Sequence, residues 1–224
     1  MNVALTRGWA QSRPRSEAAP AQVRGMTGER AGKVAIVALF SLMATRLAHD
    51  TAVTGHATGL LLVVNEALVV MLTLFRRRAA SVDRSAVARA LTVFSTFAPL
   101  LVRPASSVAL VPDAVTLVIS AVGLAFSMMG KLSLGRSFGL APANRGVVSI
   151  GLYRLVRHPI YLGYLITHVG FAIANPVGWN LSILAAGDTA LLLRALREER
   201  TLAEDQTYRD YMQRVRWHVL PGVF

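Results

Sequence analysis

The chain has 224 residues, with 24 Lys and Arg against 12 Asp and Glu, a formal charge of +12; yet it is 54% hydrophobic and only 16% charged. Its mean hydropathy of +0.47 lies above that of ordinary soluble domains. The absence of cysteine excludes disulfides, thiol nucleophiles and thiolate metal sites. The basic residues fall between apolar runs and no nucleic-acid motif accompanies them, which argues against a nucleic-acid partner and for membrane topology and anionic lipid headgroups.

Residues 1–30 carry Arg7, Arg13, Arg15, Arg24 and Arg30 with Pro14 and Pro20 and read as a disordered basic tail. A signal peptide needs its apolar core sooner after the charged start. A transit peptide is the competing reading, and Met26 is an alternative initiator. Six apolar stretches follow, at about 34–48, 58–75, 90–102, 114–130, 160–174 and 179–193. Several are shorter than the ~20 residues of a perpendicular span, so tilted, broken or interfacial helices are expected. Pro99 should kink the third, and Asn175-Pro176-Val177-Gly178 should turn the fifth into the sixth.

With six spans and both termini cytoplasmic, 22 of the 24 Lys and Arg fall on the inner side, leaving only Arg46 and Arg103 outside. That is the bias the positive-inside rule requires, and moving the count by one span destroys it. The expected fold is an all-α polytopic membrane helix bundle, with residues 31–130 forming N-terminal membrane helices and 131–224 the functional core. No internal repeat supports an inverted-repeat transporter.

The polar segment 131–158 is rich in Gly, Arg and Asn, and residues 146–151 read as a short extended piece, a candidate hairpin over the site. His158-Pro159-Ile160-Tyr161 then opens the fifth span, because proline suits the first helical turn. The helix N-terminus there favours an anionic group of a ligand. Tyr153, His158 and Tyr161 equally suit a role as interfacial anchors. After the sixth span, Arg194, Arg197, Glu198, Glu199 and Arg200 continue as a polar helix, with Arg194–Glu198 and Arg197–Thr201 at pairing distance along one face. A solvated charged face is the plain reading of such a run, but two carboxylates directly below an apolar span also suit ribose hydroxyls or a ligand ammonium. Asp205 can cap a further short helix. Within the spans, Glu66 beside Asn65, His168 and Asp188 are costly in lipid; His168 and Asp188 are expected to bond across the fifth and sixth spans, while Glu66 is left open as an acceptor-cavity residue. His158 and His168 lie ten residues apart with no carboxylate at ligand spacing, so no metal site is expected.

The ordered set Gly151-x-Tyr153-x-x-x-Arg157-His158-Pro159-x-Tyr161-x-Gly163, then Arg194-x-x-x-Glu198-Glu199-x-x-Leu202, then Tyr208-x-x-Tyr211-x-x-x-Val215 and Pro221-Gly222 resembles the isoprenylcysteine carboxyl methyltransferase family, grouped with the membrane phospholipid methyltransferases. The likeness covers about residues 130–224. It implies S-adenosylmethionine as methyl donor, held at the cytoplasmic face by Tyr153, His158, Tyr161, Glu198 and Glu199. It also implies that Arg194 orients an acidic acceptor group. A carboxylate acceptor needs no base, whereas a hydroxyl acceptor would need one, and His158 is the candidate only if it faces the acceptor. The acceptor would be a lipophilic small molecule or prenylated cysteine entering from the bilayer, and the setting a bacterial inner membrane. Residues 1–110 share little with the eukaryotic enzymes. The rival readings are a non-catalytic transporter or assembly protein, and a membrane reductase using NADPH.

Overall fold

The computed structural model describes residues 19–54, 57–102 and 111–224. Residues 1–18 of the expected tail, and Arg103, lie outside them. The described residues are mainly helical: α1 Ala19–Thr54, α2 Ala57–Phe75, α3 Ala86–Phe97, α4 Asp113–Leu134, α5 Pro159–Ala174, α6 Gly178–Leu202 and α7 Gln206–Arg214. The all-α expectation therefore holds.

Local chemistry accounts for most boundaries. Ser85 caps α3 by accepting from the Ala88 amide at 3.1 Å, and α4 starts after Pro112 with Asp113 in its first turn, where a negative charge meets the positive helix end. Gly135, at φ +49°, ends α4 in a conformation that other residues adopt at a cost. Pro159 opens α5, and Asp205 caps α7 by accepting from the Thr207 amide at 2.9 Å. Pro99 does not kink a continuing helix. It sits in a 3₁₀ turn, Ala98–Leu101, that closes the third apolar segment.

The apolar run 179–193 and the polar run after it form one rod, α6, as expected of a span that continues as a polar helix. Two expectations require correction. The tail expected to be disordered through residue 30 is helical from Ala19, continuous with the first apolar run. The expected hairpin over 146–151 is absent: a strand β1 at Ser81–Val82 pairs antiparallel with β2 at Ala143–Asn144, joining loops some sixty residues apart, and residues 151–154 form a 3₁₀ turn.

Helix α4 packs on α2 and α5, α1 on α2, and α3 and α5 on α6. The α4–α5 contact is the closest. A Cβ added at Gly163 would lie 2.5 Å from the Ser127 backbone nitrogen, and one at Gly123 2.6 Å from the Gly163 oxygen. Small residues on both helices let the backbones meet, as in membrane helix pairs. Beneath this, Val69, Ile160, Tyr161, Leu191, Ala195 and Val219 form the buried core. Large apolar side chains such as Val118, Val169 and Leu193 point outward. Among the described residues one helix, over Asp113–Ser137, is long and apolar enough to cross a membrane; Val63–Phe75, Ala86–Leu101 and Pro159–Ala174 are apolar but shorter. The expected six spans thus rest on the charge pattern rather than on helix length.

Candidate active site

The N-terminus of α5, the cytoplasm-facing part expected of α6, and the C-terminal segment converge on one place. The amides of Arg157 and His158 donate to the carbonyls of Trp217 and His218 at 2.9 and 2.8 Å. The chain end is thereby laid along the turn that leads into α5. Arg157 reinforces this by donating from Nε to the Val215 carbonyl (2.7 Å) and from Nη2 to the Met212 carbonyl (2.9 Å).

A cavity of about 820 Å³ opens above this junction and runs between the helices. Tyr153, His158, Tyr161, Arg194 and Glu198 line it at the polar end, and Phe97, Leu124, Phe171 and Leu184 line its apolar part. The Tyr161 hydroxyl donates to Glu198 Oε2 at 2.7 Å. The His158 ring stacks nearly parallel on Tyr161, with centroids 5.1 Å apart, and the Arg194 guanidinium lies 5.3 Å from the Tyr161 centroid. Arg194 does not pair with Glu198 as the helical spacing suggested; it donates to Ser95 Oγ at 3.5 Å and to the Leu140 carbonyl. Burial of the guanidinium, 5% exposed, requires such partners. Arg197 likewise turns to Asp83, at 3.6 Å, while the Thr201 hydroxyl donates back to the Arg197 carbonyl.

The two adjacent carboxylates part company. Glu198 lines the cavity, whereas Glu199 is not among its lining residues. Glu199 Oε1 receives His158 Nε2 at 3.0 Å and His218 Nδ1 at 2.7 Å, and Oε2 receives Arg157 Nη1 at 2.8 Å. Burial alone would raise this carboxyl, but the hydrogen bonds from His158 and His218 and the Arg157 charge outweigh it and hold it at about 2. An ionised carboxylate only accepts, so both imidazole nitrogens donate to it. The His158 ring is thus fixed with Nε2 committed to Glu199 and Nδ1 as its other nitrogen.

Three tyrosines lie together at the polar end of the site. Tyr153, Tyr208 and Tyr211 form a buried cluster with Val215, and the Tyr211 hydroxyl donates to the Tyr153 carbonyl at 2.7 Å. Burial, with help from Glu198, pushes the Tyr153 phenol well up, and burial likewise raises Tyr208 and Tyr211. All three remain neutral at pH 7. His168 also lines the cavity, and its Nδ1 meets Asp188 Oδ1 at 2.6 Å across α5 and α6, as their positions in the two apolar runs suggested.

Sequence reasoning did not single out His218, the bonding of Arg157 or the burial of Lys131. Arg157 stands inside the motif, so its neighbour His158 was a usable signal. Nothing in the spacing links residue 218 to residue 199. Lys131 was read as the start of a polar loop; it is instead inside α4 and fully buried, donating to Asn65 Oδ1 at 2.6 Å.

The cavity is charged and aromatic at one end and hydrocarbon-lined at the other, a lining with the polarity pattern of an amphiphilic molecule. Residues 112–209 match the model of a named family, PEMT, phospholipid methyltransferase. That domain takes up a little under half of the chain and contains α4, α5, α6 and most residues at the polar end of the cavity. It is the group to which the sequence resemblance pointed. No curated protein matches the chain.

Proposed function

We propose that this protein is a membrane methyltransferase that uses S-adenosylmethionine to methylate a lipophilic acceptor. The observation that carries the reading is the continuous cavity joining a carboxylate, a guanidinium and a tyrosine cage to an apolar bore between helices. The family match over residues 112–209 supports methyl transfer. The outward apolar faces and the one-sided distribution of Lys and Arg support a membrane setting with about six spans and the site facing the cytoplasm, here taken as a bacterial inner membrane.

The residues present fit the donor's chemistry. Glu198, its carboxylate already receiving Tyr161, can accept from ribose hydroxyls or an ammonium. Arg194, with Nε buried and without a hydrogen-bond partner among the described residues, can meet a carboxylate of donor or acceptor. Tyr153, Tyr208 and Tyr211 offer flat aromatic surface, worth about 0.5–2 kcal/mol against a cation. S-adenosylmethionine supplies an electrophilic methyl group on a sulfonium. The chain's own work is alignment of the two ligands and exclusion of water. Glu199 acts one step back, holding the His158 ring against Tyr161. A carboxylate acceptor would need no base; a hydroxyl acceptor would need one, and His158 Nδ1 is the candidate group.

The test is calorimetric titration of S-adenosylmethionine into detergent-purified protein, with Tyr161→Phe and Glu198→Ala alongside. Saturable binding that each substitution weakens by about tenfold is expected, as for loss of one hydrogen bond to a charged group. A well-folded wild type that binds no S-adenosylmethionine would refute the proposal, and binding of NADPH instead would favour a reductase.

A further inference from the structure

Among the described residues, the cavity wall holds one acidic side chain outside the family-matched segment. Glu66, on α2, lines the cavity and is only 9% exposed. Its Oε1 accepts from Asn65 Nδ2 at 3.1 Å, while its Oε2 is buried without a hydrogen-bond partner among the described residues. Asn65 is itself pinned: its Oδ1 accepts from Lys131 Nζ at 2.6 Å and from Ser127 Oγ at 3.3 Å. The Lys131 ammonium, wholly buried, also lies 5.1 Å from the Tyr164 ring centroid. A chain Lys131–Asn65–Glu66 thus crosses from α4 to α2 and ends on a carboxylate oxygen at the cavity.

We propose that Glu66 recognises a hydroxyl group on the lipophilic acceptor; this rests on the methyltransferase reading above. A buried carboxylate oxygen without a donor is costly, and a ligand that supplies one relieves that cost. The charge balance selects the kind of donor. Lys131 and Glu66, joined through Asn65, cancel one another in a low-dielectric interior. A neutral hydroxyl preserves that balance. An ammonium would leave an uncompensated positive charge, and a carboxylate would be repelled by Glu66. The acceptor is therefore an alcohol or phenol carried on an apolar body, rather than an amine lipid or a plain hydrocarbon chain ending in an acid. Because α2 lies outside residues 112–209, Glu66 gives this chain an acceptor preference that its methyltransferase domain does not specify.

The experiment is equilibrium binding of tritiated 1-dodecanol, dodecylamine and dodecanoate to the full chain in lipid nanodiscs, with empty nanodiscs correcting for partition. S-adenosylmethionine binding is measured on the same samples. Wild type should bind dodecanol saturably and about tenfold more tightly than either charged analogue. Glu66→Gln should weaken dodecanol a few-fold, and the double variant Glu66→Leu with Lys131→Met, which keeps the interior neutral, about tenfold. Dodecanol affinity in either variant equal to wild type would overturn the assignment, as would dodecanoate or dodecylamine binding as tightly as dodecanol in wild type. If donor binding fails while the alcohol preference and its loss in the variants persist, the methyltransferase reading falls and the Glu66 subsite stands.

Discussion

Glu199 ties three parts of the chain together, and replacing it by glutamine should unfasten them. Glu199→Gln removes a buried charge that receives Arg157, His158 and His218 at 2.8, 3.0 and 2.7 Å, and sets an amide N–H₂ against donors. The lowering of the carboxyl from its ordinary 4.5 to about 2 corresponds to about 3 kcal/mol at ~1.4 kcal/mol per pH unit. The His218 side chain is 28% exposed, and solvent on that flank reduces the figure to about 2 kcal/mol. For a chain of this length that is a loss of roughly 4–8 °C in melting temperature. The sign in pH follows from the depressed value. Above 4.5 the carboxyl is ionised in both folded and unfolded chains and the stabilisation is complete. Between 4.5 and about 2 the unfolded chain takes up the proton first, so the stabilisation drains away as pH falls. Melting curves of detergent-solubilised protein from pH 7 to pH 3 should show wild type losing more stability than Glu199→Gln below about pH 4.5, the two converging at the acid end. Asp83 and Asp205, also lowered by their hydrogen bonds, contribute equally to both proteins and cancel in the difference. Equal melting temperatures at pH 7, or parallel acid slopes, would refute the clasp.

Gly163→Ala should destabilise by about 1–3 kcal/mol, because its Cβ would meet the α4 backbone; Gly178→Ala, with open space around it, is the control, and thermal melts compare them. Asp188→Asn and Asp188→Ala should lower the melting temperature by loosening the 2.6 Å bond to His168 while leaving S-adenosylmethionine affinity within twofold of wild type, roughly the error of a titration. A large loss of donor affinity in either would place that pair in the binding site instead.

Several features were legible in the order of residues alone. Pro159 and Asp205 marked helix starts because proline and a capping carboxylate act through neighbouring backbone alone. The depth match of His168 and Asp188 followed from the hairpin between their runs. Tyr153, His158, Tyr161, Arg194 and Glu198 were singled out by type and order, and they do line one cavity. The mainly helical architecture followed from the succession of apolar runs and the charges between them.

Other features required the assembled molecule. Successive residues on a helix point about 100° apart, so the pair Glu198-Glu199 had to divide, but which one faced the cavity depended on where α5 and the chain end docked. Arg194 passed over Glu198, one turn away, for Ser95 and the Leu140 carbonyl, because the neighbouring α3 and the loop before β2 offered partners inside the core. Lys131 was legible as a charge but not as a buried one, since only α2 packed against α4 supplies Asn65. His218 reached Glu199 because Trp217 and His218 pair with the Arg157–His158 backbone. Short-range chemistry along the chain determined the helices and the stock of reactive groups; packing between distant segments decided which of those groups meet, because burial and hydrogen-bond partners are properties of the assembled fold.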